Sequence, residues 1–66
     1  FSHEGEEFIH VLVGTYEFVY DGKKDILNQG DSVYFDSVIP HTGRSLGKRR
    51  ARIIAVMYSY KRSRNF

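Results

Sequence analysis

Turn signals punctuate this chain so closely that no helix of ordinary length fits between them. Gly14-Thr15, Asp21-Gly22, Asn28-Gln29-Gly30-Asp31 and Pro40 fall roughly seven to twelve residues apart. Asp21-Gly22 is the strongest of them, because glycine accepts the positive φ that tight hairpin turns require. Pro40 interrupts whatever precedes it, since it offers no backbone donor. The intervening segments read as strands. Residues 8–13 form a nearly continuous apolar run, and Tyr16, Phe18 and Tyr20 alternate with Thr15, Glu17 and Val19. Residues 24–27 make the returning arm of the hairpin, and residues 32–35 make a further short strand. The last run, residues 51–60, is apolar on both faces and is therefore expected to be covered on both. Helical periodicity is weak throughout. The expectation is an all-β fold, a small antiparallel barrel or sandwich.

With 66 residues the chain makes a single domain with a lean core. A domain of this size buries only about 60% of its unfolded surface. It contains no cysteine, so no disulfide supplements that core, which accords with a reducing cytoplasm. No apolar run approaches the roughly 20 residues of a membrane span, and nothing resembles a signal peptide. Because a motif begins almost at Phe1, the chain reads as a piece of a longer polypeptide whose core a partner subunit or further strands would complete.

Charge is lopsided beneath a formal net of +2. Residues 1–36 hold every acidic side chain against Lys23 and Lys24, whereas residues 37–66 hold only bases. Such asymmetry can mark contact with an acidic partner, nucleic acid included. The plainer reading is that opposite halves of one compact barrel neutralise each other. The aromatics alternate with apolar and acidic residues rather than with bases, which fits a barrel wall and not a platform for stacking nucleobases.

Three side chains with metal-ligand chemistry fall beside turns. His3 and Glu7 flank the bend at Gly5, and His41 follows Pro40. If the two strands concerned are neighbours, two imidazoles and a carboxylate could converge at the barrel mouth, the set that binds iron(II) with positions left open. Taken alone, the spacing is equally that of a solvated acidic turn. His10 alternates away from Glu7 and should face outward. Gly14, Gly30 and Gly43 read as turn glycines. Arg44, three residues beyond His41, carries the guanidinium fork suited to a carboxylate or phosphate ligand. The bases Lys48, Arg49, Arg50 and Arg52 decorate a loop and a strand entry. No nucleophile–base pair is evident, so no catalytic residue is assigned.

The same residues carry a resemblance. His3, Glu7 and Gly14 stand at the spacing of the second half of the first cupin motif. Residues 30–41, from Gly30 to His41, resemble the second motif. The resemblance spans essentially the whole chain, with the two motifs in the expected order around Asp21-Gly22. It implies a double-stranded β-helix of jelly-roll type and a ligand set of His3, Glu7 and His41 for a divalent metal such as iron, manganese or zinc. Four positions depart from the pattern. Phe1 stands where a further histidine ligand is usual, Asp36 and Val38 replace a proline and a glycine, and Ser45 replaces an asparagine.

A narrower similarity runs through Tyr34, Phe35, Asp36, Ser37, Pro40, His41, Gly43, Arg44, Leu46 and Gly47. It is that of the carboxy-terminal cupin of bacterial transcriptional regulators with an amino-terminal helix-turn-helix. This resemblance implies a cytoplasmic sensor domain over residues 1–66, its DNA reader encoded upstream and absent here. A small-molecule effector would sit near His3, Glu7, His41 and Arg44, and the domain would form a homodimer. DNA contact would pass through the upstream domain only. The competing expectation is a metal-dependent enzyme, an oxygenase, epoxidase or isomerase, using His3, Glu7 and His41; the regulator reading is preferred over it.

Overall fold

The computed structural model describes residues 5–59, which fold entirely as strands and turns. The strands are β1 (Gly5–Val13), β2 (Thr15–Tyr20), β3 (Lys23–Asn28), β4 (Ser32–Asp36), β5 (His41–Leu46) and β6 (Arg52–Ser59). They form two three-stranded antiparallel sheets, in the orders β4-β1-β6 and β3-β2-β5. The expected all-β antiparallel barrel is therefore the fold. The Asp21-Gly22 turn has positive φ at both positions, 52° and 77°, the pattern of a type I′ hairpin.

Alternation along β1 decides which face of its sheet is inside. Glu7, Ile9 and Val11 are buried, while Glu6, Phe8 and His10 between them are only partly covered. The inward set meets Phe18, Leu27 and Phe35 to form the core, with Tyr16, Tyr20, Val33 and Ile53 packed around it. Phe35 lies 4.8 Å from Phe18 and 5.4 Å from Tyr20, ring centre to ring centre. His10 faces outward as expected, its Nδ1 2.6 Å from Ser32 Oγ.

Two readings of the sequence need correction, and one strand has no counterpart among them. Residues 41–46 form a strand, although they are polar, contain Gly43 and lack an apolar alternation; pairing to β2 holds them. Gly43 accordingly sits inside β5 and not in a turn, whereas Gly14 and Gly30 do take positive φ. β6 is not covered on both faces within one chain. It is an edge strand paired only with β1, and Ile54, Val56, Met57 and Tyr58 are all exposed.

Candidate functional site

The β4–β5 connection is what brings the site together. Ser37 N donates to Gly5 O (2.9 Å), carrying the β1–β4 pairing one step past Glu6 and Asp36. Val38 N donates to Asp36 Oδ1 (3.0 Å), a side-chain turn typical of aspartate. Asp21 N donates to Pro40 O (3.0 Å), and the Tyr20 hydroxyl to Asp36 O (3.3 Å), so the β2–β3 hairpin holds the connection from the other side. Pro40 then hands the chain to β5, and His41, the first residue of that strand, points inward.

His41 and Glu7 meet there. Nε2 lies 3.3 Å from Glu7 Oε1, and both side chains are largely buried, at 4% and 10% exposure. The other ring nitrogen, Nδ1, is 2.8 Å from Ile39 O. A carbonyl oxygen only accepts, so Nδ1 carries a proton and Nε2 is the nitrogen turned to the carboxylate. Two arrangements satisfy that contact: an imidazolium donating to Glu7, or a neutral imidazole whose lone pair and Glu7 together face a cation. Phe35 packs edge-on to the imidazole at 4.8 Å and fixes the ring plane. The site is thus rigid on its buried side. On the β6 side Met57, directly opposite Glu7 in the ladder, is 60% exposed.

Two further polar groups lie inside the barrel and were not assigned to the site from the sequence. Tyr16 lies on the inward face of β2, and its phenol is held above the ordinary tyrosine range by burial and, secondarily, by the negative charge of Glu7. Ser37 is fully buried, and its hydroxyl has no hydrogen-bond partner among the described residues. Neither type of residue stands out in sequence, where tyrosine and serine are common in strands and turns.

Of the four residues proposed from sequence, the structure joins Glu7 and His41. His3 lies outside the described residues. Arg44 is placed on the opposite side of its sheet, since β5 alternates and His41 takes the inner face; its Nε donates to Glu17 Oε1 at 2.9 Å on the outer surface. Among the described residues no three His, Cys, Asp or Glu side chains converge as a metal cluster would require. No helix among them is long and apolar enough to cross a membrane.

Neither the curated proteins nor the solved structures compared with this chain gave a match. The family model described as the cupin domain, by contrast, matches residues 1–57, a span that includes every strand of both sheets except the last two residues of β6. A match over that much of the sequence, on a two-sheet antiparallel barrel, establishes that the chain belongs to the cupin family.

Proposed function

We propose that this chain is the small-molecule-sensing and dimerising domain of a cytoplasmic bacterial transcriptional regulator, with its effector bound at the barrel mouth near His3, Glu7 and His41. The observation that carries the reading is the buried Glu7–His41 pair, a polar pair set against the Phe35 ring inside the barrel. The similarity of residues 34–47 to regulator cupins directs it toward sensing. An effector acts by binding two conformations unequally, and a helix-turn-helix upstream would read that difference as DNA affinity. The decisive test lies in the parent gene. Translation of the reading frame upstream of Phe1 should reveal a helix-turn-helix, and an unrelated segment there would overturn the regulator reading.

Assembly as a homodimer is part of the same proposal. The outer face of the β4-β1-β6 sheet presents Phe8, Tyr34, Ile54, Val56 and Tyr58 in one continuous patch. Glu6 and Asp36 lie at one end of that sheet and Arg52 at the other. A two-fold axis across the patch sets the acidic end of one copy against the basic end of its partner, which favours a second copy over an unrelated occupant.

The Nε2 orientation of His41 favours one alternative, a metal-dependent enzyme. Glu7 and His41 would supply a carboxylate oxygen and an imidazole nitrogen to a divalent ion, and His3 would be the third ligand. The ion would contribute Lewis acidity or oxygen chemistry. Elemental analysis of the purified protein beside His41→Ala separates the readings. About one metal per chain, lost in the variant, supports the enzyme; no metal in either removes its main support.

A further inference from the structure

Gly43 occupies a position where most strand residues would interfere with a neighbour. It lies mid-strand in β5, two residues from His41 on the same inward face, about 7 Å along the strand. A Cβ added there would fall within the outer half of the Tyr16 ring, overlapping the hydroxyl and the carbons next to it. The missing side chain is therefore the space that the Tyr16 phenol fills. Tyr16 starts two ladder steps from Gly43's direct partner row and leans diagonally across β5, toward the end that holds His41.

We infer that the Tyr16 hydroxyl, seated over Gly43, is a third recognition group of the Glu7–His41 site, and that this site takes a neutral hydroxyl-bearing molecule rather than an anion. The inference deepens the ligand-pocket reading above and rests on it. Three observations give the ligand its class. Glu7 puts a carboxylate at the site, which accepts hydrogen bonds only and repels a second anion. Arg44, the cation that could have neutralised an anionic ligand, is turned to the outer surface and held by Glu17. Tyr16 adds a neutral hydroxyl, able to donate or accept. An alcohol group matches this set, because it can donate to Glu7 while accepting from Tyr16. A carboxylate can accept but cannot donate to Glu7, and a phosphate would bring further negative charge beside it.

The test uses small probes of one size: propane-1,2-diol, propionate and propylammonium, titrated into the protein and followed by amide chemical shifts. The diol should move resonances of Glu7, Tyr16, Gly43 and His41 saturably, and Tyr16→Phe should weaken it by about threefold to tenfold, the worth of one hydrogen bond. Gly43→Ala keeps the hydroxyl but displaces the ring, so it should weaken the diol at least as much. If that variant does not fold, Tyr16→Phe, which keeps the ring, still decides. Tighter binding of propionate or propylammonium would overturn the ligand class. Diol binding unchanged in Tyr16→Phe would overturn the role of the hydroxyl. Failure of the regulator reading is seen separately, upstream of Phe1, and leaves these titrations interpretable.

Discussion

Ile26 and Ile54 are each 47% exposed, and both lie on the outer surface of an antiparallel sheet. Their surroundings differ. Ile26 on β3 stands beside Glu17, which is paired with Arg44, and between Lys24 and Asn28 on its own strand. Ile54 on β6 stands beside His10 and Val56, with Phe8 and Tyr58 beyond. A lone exposed isoleucine amid charges is ordinary, whereas the same residue within an apolar patch marks a surface made to be covered. The two sheets of this barrel therefore have different tasks. One turns a polar outer face to solvent; the other presents an apolar one, which the second copy proposed above would cover. Both contribute inward residues to the site, Glu7 from one and His41 and Tyr16 from the other.

The largest effect should come from the core that joins the sheets. Phe18 is 3% exposed and packs on both Tyr20 and Phe35. Phe18→Ala should cost about 3–5 kcal/mol, much of the stability available to so small a domain. Ile26→Ala should cost far less. Urea midpoints would check both, and equal losses would mean that the two sheets do not share one core.

Introducing charge sharpens the comparison between the outer faces. Ile54→Lys should shift the protein from dimer to monomer, weakening association by well over tenfold, because a buried lysine at an interface needs a partner. Ile26→Lys, beside Glu17, should leave the mass unchanged. Light scattering across a dilution series reads the difference. A monomer in the unmodified protein at micromolar concentration would remove the homodimer.

Ion pairs on the two sides of the β3-β2-β5 sheet should differ in the same sense. Glu7–His41 is inside and Glu17–Arg44 is outside, with the Arg44 side chain 68% exposed. His41→Ala takes the imidazole from a buried carboxylate and should cost about 1–3 kcal/mol. Arg44→Ala, screened by water, should cost less than about 1 kcal/mol. Thermal or urea denaturation giving the reverse order would show that burial does not govern these pairs.

The fold class was legible because turn chemistry is local. Asp21-Gly22 and the 28–31 turn announce themselves from their own residues, and the strands they bound follow. β5 was not legible, since His41–Leu46 gains its strand character from pairing with β2 and not from its composition. Long-range placement also explains the partial reading of the site. Glu7 and His41 meet because Ser37 pairs with Gly5 and Pro40 with Asp21, contacts that no local pattern encodes; residue type beside turns raised the pair only on the condition that the strands are neighbours, and the family resemblance supplied that condition. Arg44 stood at an attractive sequence distance from His41, but an odd separation along a strand puts the two on opposite faces. That parity could have been applied had residues 41–46 been read as a strand.

The smallest expected effect concerns Tyr16 and distinguishes the inner face by pH. Its phenol is raised above the ordinary tyrosine value of about 10, first by burial and then by the charge of Glu7. A raised value means that the folded protein holds this proton more tightly than the unfolded chain does. The resulting stability is complete below about pH 10, where both states are protonated, and is lost as pH rises through the higher folded value. Tyr16→Phe has no proton to lose. The stability difference between the unmodified protein and Tyr16→Phe should thus stay constant from about pH 7 to pH 9. Above about pH 10 it should then move against the unmodified protein, while the remaining tyrosines and lysines, common to both, cancel. Parallel curves for Tyr16→Phe across the alkaline range would mean that the phenol is solvated and not set against Glu7.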